Sequence, residues 1–194
     1  PLRCTYCSNP LELETRSAEL STDDWKRVFD QAAEMGVIHV HLSGGEPTAR
    51  KDIVELTAHA AAAGLYTNLI TSGIAVGDDM LDRLLEAGLD HIQLSMQGAD
   101  PEITERVGGM KGAFERKEAF AHAVVQRGFP LTLNAVIHRQ NIHQVPLMID
   151  KALALGAKRL EVAHTQYYGW ALKNRAQLMP RREDVDRTIE EIAA

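Results

Sequence analysis

GVIHVHLSGGEP, residues 36–47, forms the glycine, strand and loop of a structural unit that repeats along the chain. The run 37–43 is rich in β-branched residues, which predicts a short strand. Gly36 stands just after a helical pattern that starts at Thr22 and ends at Met35, where a left-handed helix C-cap favours glycine. A polar, glycine-rich loop follows the strand, so the order is helix, glycine, strand, loop.

The same unit occurs five times along the chain. Strands are predicted at 37–43, 66–71, 91–96, 131–137 and 159–165, and helices at about 22–35, 50–63, 78–87, 114–127 and 143–155. The glycines that follow the helices are Gly36, Gly64, Gly88, Gly128 and Gly156. This spacing indicates parallel strands joined by right-handed helical crossovers, hence an α/β fold. We interpret it as a partial (β/α)6 TIM-like barrel whose first strand is missing from the chain; a doubly wound sheet is the alternative.

Composition limits the classes of function. The chain has 194 residues and a net charge of −6, which gives no basic surface for nucleic acid. No apolar run approaches the roughly 20 residues of a membrane span, and no leader is recognisable, so we expect a cytoplasmic protein. Cys4 and Cys7 are the only cysteines; in the cytosol such a pair indicates metal or redox chemistry rather than a disulfide.

Polar residues lie within or just after every predicted strand. They are Ser43-Gly44-Gly45-Glu46-Pro47, Thr71-Ser72-Gly73, Ser95 to Gly98, Asn134 within its strand, and the run 165–171, TQYYGWA. Any one such loop is explained by ordinary turn and cap chemistry. Five of them at the carboxyl edge of one sheet favour a ligand site there.

The run GGEP is the most informative of these loops. Gly44 and Gly45 let backbone N–H groups approach a ligand closely. Glu46 adds a negative acceptor and Pro47 fixes the turn, which suits a zwitterion such as an amino acid. The lysine and spacing of a phosphate-binding loop are missing. The alternative is a helix start with Glu46 in solvent.

The Cys4–Cys7 pair leaves three interpretations open. Zinc needs four ligands, and the nearest histidines, His39 and His41, alternate within a strand and are more consistent with packing. A thioredoxin-like pair normally opens a helix after a strand, whereas a loop with Pro10 follows here. The third interpretation is an iron–sulfur cluster with one ligand outside the chain.

Together these motifs resemble the radical S-adenosylmethionine (SAM) superfamily. Cys4-Thr5-Tyr6-Cys7 matches the second half of its C-x3-C-x2-C signature, and GGEP matches its second motif. The first cysteine would fall immediately before Pro1. CSNP, LYTNLITSG, GLDHIQLSMQG and QYYGWALKNRAQLMP are further similar to the PqqE family of PqqA peptide cyclases in pyrroloquinoline quinone (PQQ) biosynthesis. Residues 1–194 would then be a radical SAM core without its cysteine-rich C-terminal (SPASM) domain, and this piece alone is expected to be inactive.

The resemblance implies cofactors and their ligands. Cys4 and Cys7 would bind a [4Fe–4S] cluster, and SAM would chelate its open iron; auxiliary iron–sulfur clusters are expected in the missing C-terminal part. The resemblance then assigns SAM contacts: Glu46 with Gly44 and Gly45 on the ammonium, Pro47 in the same turn, Ser72 on the carboxylate, Ser95, Gln97 and Asn134 on the ribose, and Tyr6 and Val136 beside the adenine. No catalytic acid or base is assigned.

It also implies a reaction and partners. Reductive cleavage of SAM would produce a radical that joins a glutamate and a tyrosine side chain of the PqqA precursor peptide. The expected partners are that peptide, the PqqD peptide chaperone and an electron donor such as flavodoxin, with neither nucleic acid nor membrane. The alternatives are another radical SAM maturase of peptides or haem precursors, and a non-enzymatic C-x-x-C zinc or redox module.

Overall fold

The computed structural model describes residues 2–12, 15 and 18–193, which excludes Pro1. The strands are β1 His39–Leu42, β2 Tyr66–Thr71, β3 His91–Met96, β4 Leu131–Ile137 and β5 Arg159–His164. The helices are α1 Thr22–Glu34, α2 Ile53–Ala62, α3 Asp78–Glu86, α4 Pro101–Gly108, α5 Ala113–Gln126, α6 Val145–Ala154, α7 Gly169–Lys173, α8 Arg175–Leu178 and α9 Arg182–Ala193. Short 3-10 helices span Pro47–Ala49 and Ile142–Gln144.

All five strands form one parallel sheet in the order β1-β2-β3-β4-β5. A doubly wound sheet reverses its strand order at a switch point, and this sheet has no reversal within the described residues. Each crossover therefore moves one strand further in the same direction. With right-handed connections the helices all lie on one side, which is the geometry of a barrel wall. The predicted α/β, TIM-like architecture is confirmed.

The two faces of the sheet differ in chemistry. The face beneath the helices is apolar: Leu69, Ile92 and Leu133 from neighbouring strands are completely buried. The opposite face carries polar side chains at alternate positions, among them Asn68 and Gln93, whose amides are 3.4 Å apart. Because successive side chains of a strand point to opposite faces, each strand contributes apolar residues to the core and polar residues to the concave face.

Local sequence signals position the first crossover. The Ser21 hydroxyl accepts a hydrogen bond from the backbone N–H of Asp24, and the Asp24 carboxylate accepts one from the N–H of Ser21. This reciprocal capping box starts α1 where the sequence predicts. All five predicted C-cap glycines have positive φ, for example 86° at Gly36.

In the described part of the chain, every helix is too short or too polar to cross a membrane.

Candidate cofactor site at the carboxyl edge of the sheet

A cavity of about 390 Å³ opens at the carboxyl edge of the sheet. The loops after β1, β2 and β3 form its wall together with β4, the end of β5 and the cysteine-bearing N-terminal segment. Among the predicted residues, its lining includes Cys4, Tyr6, Cys7, Gly44, Gly45, Ser72, Ser95, Gln97, Asn134 and Val136. Glu46 and Pro47 are not part of the lining. Predicted residues as distant in the chain as Cys4 and Val136 are therefore brought to one site, as the parallel topology predicts.

The two cysteines lie in a tight turn. The backbone N–H of Cys7 donates to the carbonyl of Cys4 at 3.1 Å, and both thiols are free and half-buried. On one flank, the N–H of Arg3 donates to the carbonyl of Gly108 at the end of α4. Burial raises the pKa of the Cys4 thiol, with the positive charge of Lys117 acting in the opposite direction. A bound cation would favour the thiolate at such a site.

Tyr6 is fixed on two sides. Its hydroxyl accepts a hydrogen bond from the Gln97 side-chain amide at 2.9 Å, and its ring packs against His138 at a centroid distance of 5.3 Å. Burial and the neighbouring Cys4 raise the pKa of Tyr6 well above its ordinary value. Burial also lowers the pKa of His138 to about 4. Both rings are therefore neutral near pH 7, and the aromatic pair beside the two cysteines carries no charge.

The side chain of Glu46 accepts hydrogen bonds from the loops that follow β1 and β2. One carboxylate oxygen accepts from the Thr48 N–H and hydroxyl and from the Thr71 hydroxyl. The other accepts from the Ser72 N–H and hydroxyl, at 3.0 and 2.6 Å. Burial alone would raise the pKa of Glu46, but these hydrogen bonds, those from Ser72 foremost, hold it below its ordinary value. The ionised carboxylate thus joins the β1 and β2 loops, and five protein donors surround it.

The backbone of Gly44 has an unusual conformation and contacts the N-terminal segment. Gly44 has a φ of +137°, a region that side-chain-bearing residues rarely adopt. Its carbonyl lies 3.4 Å from the side-chain amide of Asn9, which donates to it. This contact connects the GGEP loop to the segment that follows Cys7.

Lys117 of α5 connects the carboxyl ends of β2 and β3. Its buried ammonium donates to the backbone carbonyls of Ser72 and Ser95, both at 2.7 Å. Burial lowers its pKa to about 8, while the neighbouring Cys4 and the carboxylate of Glu46 act in the opposite direction. Lys117 is not among the residues predicted from the sequence. The available signal was a lysine within the buried face of α5 formed by Ala113, Phe120, Ala121 and Val124.

A row of polar side chains runs across the concave face below the cavity. The Asn68 amide donates to His41 Nδ1 at 2.9 Å and lies 3.4 Å from the Gln93 carbonyl. The amides of Gln93 and Asn134 both donate to one oxygen of Glu161, at 3.4 and 3.2 Å. Because Glu161 takes the NH₂ group of Asn134, the amide oxygen of that residue remains available to accept from a ligand. Glu161 is a second residue that sequence reasoning missed.

The two thiols and the polar groups of the cavity are consistent with part of the predicted cofactor site. Two soft thiols suit an iron–sulfur cluster, which is held by cysteine thiolates. Within the described residues no group of three or more His, Cys, Asp or Glu side chains is arranged to hold a metal. The described chain therefore contributes two thiols, and the adjoining cavity carries the amide, hydroxyl and backbone groups that suit an amino acid joined to a nucleoside.

This combination defines a class of protein: a half-barrel with a thiol pair and a glycine–glutamate loop at the carboxyl edge of its sheet. Residues 1–152 match the sequence profile of the Radical SAM superfamily. The chain belongs to that superfamily.

More specific similarities extend over the whole chain. It is 65% identical over 189 residues to a PqqA peptide cyclase of Methylobacterium sp. (strain 4-46), with 97% of this chain and 50% of that protein aligned. It is 58% identical to a PqqA peptide cyclase of Xanthomonas campestris pv. campestris (strain B100) over 97% of this chain and 50% of the relative. The chain thus spans about half the length of these curated relatives. The crystal structure of Streptococcus suis SuiB bound to S-adenosylmethionine superimposes with a TM-score of 0.83 at 22% identity, covering 99% of this chain and 44% of that one, which shows a shared fold.

Proposed function

We propose that the full-length protein is a radical SAM enzyme that cyclises the PqqA precursor peptide during PQQ biosynthesis, with residues 1–194 as its SAM-binding core. The observation that carries the proposal is the meeting of Cys4, Cys7 and the Gly44–Gly45 loop at one cavity. The named relatives, at 65% and 58% identity, support the choice of peptide substrate. We place the reaction in the cytoplasm, where thiols remain reduced.

When bound, a [4Fe–4S] cluster would supply the electron for reductive cleavage of SAM and thus the radical that starts the reaction. Cys4 and Cys7 are the residues that would hold it. Gly44 and Gly45 offer backbone groups to the ammonium of SAM, and Ser72 faces the same cavity for its carboxylate. Glu46 would hold the same ammonium, and its hydrogen bonds from Thr48, Thr71 and Ser72 fix the carboxylate beside the cavity.

The nucleoside part of SAM would lie over β3 and β4. Ser95 and Gln97 line the cavity from the end of β3, and Asn134 lines it from β4 with its amide oriented by Glu161. Tyr6 and Val136 supply the apolar surfaces that suit an adenine ring. Walls on several sides limit the access of water to the reacting atoms.

The peptide step is a carbon–carbon bond between the side chains of a glutamate and a tyrosine. Joining them removes two hydrogens from the peptide: one as a hydrogen atom taken by the radical, the other as a proton with an electron that leaves for a one-electron acceptor. Auxiliary iron–sulfur clusters elsewhere in the full-length protein would serve as that acceptor, and a flavodoxin-type donor would supply the first electron. PqqD would deliver the peptide.

Mass spectrometry of PqqA tests this proposal. The full-length protein, reconstituted anaerobically, is incubated with SAM, reductant, PqqD and PqqA. We expect a product that has lost two hydrogens and whose fragmentation places a new bond between a glutamate and a tyrosine. SAM cleavage with an unchanged peptide would instead favour a maturase of another peptide or haem precursor, and would overturn the assigned substrate.

A further inference from the structure

Two segments that are far apart in sequence meet at the cysteine turn. The backbone N–H of Ala171 donates to the carbonyl of Cys7 at 2.9 Å. The side-chain amide of Asn174 donates to the carbonyl of Thr5 at 3.0 Å. We call residues 169–174 the loop clamp, since its donors satisfy carbonyls within and at the end of the Cys4–Cys7 turn.

Gly169 makes the approach of the clamp sterically demanding. A Cβ atom at this position would lie 1.8 Å from the backbone oxygen of Asn9 and 3.1 Å from that of Ser8. Its φ of +50° is also a conformation that favours glycine. The neighbouring atoms are backbone rather than flexible side chain, so a side chain at 169 would displace one segment from the other.

The clamp is anchored in the protein interior. Ala171 is completely buried, and so is Leu178 one short helix further on. The backbone carbonyl of Asn174 accepts from the N–H groups of Gln177 and Leu178, which fixes its position at the junction of α7 and α8. The carbonyl of Leu178 in turn accepts from the N–H of Arg139, beyond the end of β4. The side chain of Asn174 is therefore presented from a rigid support.

The opposite flank of the cysteine turn is also held. The N–H groups of Arg3 and Thr5 donate to the carbonyls of Gly108 and Val107 at the end of α4. The N–H groups of Arg3 and Thr5 are thus engaged by α4 on one side, and the carbonyls of Thr5 and Cys7 by the clamp on the other. Geometry fixed by such a second layer of hydrogen bonds is what lets metal ligands bind without a cost of reordering.

We propose that the loop clamp presets the Cys4–Cys7 turn for its cluster, with Asn174 as a positioning residue that never contacts the cofactor. This inference rests on the cluster site of the proposed function but not on the identity of the peptide substrate. It predicts that a change at Asn174 acts on cluster retention before it acts on any step of peptide chemistry.

The test compares two amide-to-carboxylate substitutions in the full-length protein. Asn174→Asp places an oxygen against the Thr5 carbonyl, where the native amide donates. Gln177→Glu makes the same chemical change on an exposed side chain three residues away. After anaerobic reconstitution, loss of iron to a chelator is followed for both, with a Cys4→Ala/Cys7→Ala variant giving the rate and iron content that belong to other clusters. The electron paramagnetic resonance (EPR) spectrum of the reduced protein is recorded with and without SAM.

We expect Asn174→Asp to lose the cluster iron roughly tenfold faster than the parent, the size expected for exchanging one hydrogen bond for a repulsion. Its SAM-dependent EPR change should weaken in proportion, whereas Gln177→Glu should match the parent in both. Asn174→Ala, which removes the donor without adding charge, should fall between them. Equal iron loss in Asn174→Asp and Gln177→Glu, at similar melting temperatures, would overturn the inference. Failure to modify PqqA with normal iron retention would count against the proposed substrate alone.

Discussion

Glu46→Gln is the substitution that examines the architecture of the site most closely. The carboxylate has a backbone N–H donor on each of its two oxygens, from Thr48 at 3.3 Å and from Ser72 at 3.0 Å. A glutamine must turn its NH₂ group towards one of them. Hydroxyl donors can rotate to accept from that NH₂ group, but a backbone N–H cannot, so one buried donor pair is opposed in either orientation.

The expected cost follows from those contacts. Leaving a buried donor unsatisfied costs about 1–3 kcal/mol, and hydrogen bonds to a charged acceptor are stronger than to a neutral one. We therefore expect Glu46→Gln to lower the free energy of unfolding by about 3 kcal/mol at pH 7, and to weaken SAM binding because the Gly44–Gly45 wall moves with it. Glu55→Gln is the matched control, since it loses only an ion pair between Lys26 and a largely exposed carboxylate, worth about 0–1 kcal/mol.

The assay is equilibrium denaturation by urea, followed by circular dichroism at several pH values. The folded pKa of Glu46 lies below the ordinary value of 4.5 because the hydrogen bonds outweigh burial. Its ionisation therefore stabilises the fold above the unfolded pKa, and this contribution is lost as the pH falls through the folded pKa. The difference between parent and Glu46→Gln should shrink on acidification. Equal stabilities at pH 7, or a difference that grows as the pH falls, would show that the Glu46 carboxylate does not stabilise the two loops.

Three further predictions concern substitutions at Lys117, Gly73 and Glu161. Lys117→Met removes the donor to Ser72 and Ser95 and should weaken SAM binding in equilibrium dialysis. Burial lowers the Lys117 pKa from 10.5 to about 8, so between these pH values the unfolded chain binds the proton more tightly than the folded one. Urea denaturation should therefore show the stability of the parent rising relative to the variant by up to about 3 kcal/mol across that pH window. Gly73→Ala places a Cβ 2.7 Å from Phe120 and 2.8 Å from Leu94 at a φ of +72° and should lower the free energy of unfolding by about 1–3 kcal/mol; a melting temperature equal to that of the parent would contradict the described packing. Glu161→Gln replaces the charged acceptor of the Asn134 and Gln93 amides by a neutral and weaker one, and we expect SAM affinity in dialysis to fall about fivefold as the Asn134 amide is held less firmly, with no change predicted at the iron.

The sheet could be predicted because its signals are local. Gly36, Gly64 and Gly88 each end a helix with positive φ, and the strand that follows is a compact β-branched or apolar run. His39 and His41 share a strand face as predicted, and their rings stack at 4.3 Å. Helix α4 was missed although Asp100 caps it and Pro101 opens it, both of which are readable signals.

What could not be predicted depends on contacts between distant segments. The short helices α7 and α8 have few residues to stabilise them alone, and they form where Ala171 and Asn174 meet the cysteine turn. The carboxylate of Glu46 accepts hydrogen bonds from Thr71 and Ser72, about 25 residues away, and nothing in the GGEP motif itself indicates these partners. Sequence motifs locate such a site, but the partner of each side chain follows from the packing of loops.

We infer that Cys4 and Cys7 hold the cluster that cleaves SAM at this cavity. This inference is tested by measuring the formation of 5′-deoxyadenosine by the reconstituted, reduced full-length protein, with Cys4→Ala and Cys7→Ala beside it. We expect product that depends on SAM and reductant in the parent and is lost in either variant. Undiminished 5′-deoxyadenosine from both variants would contradict it.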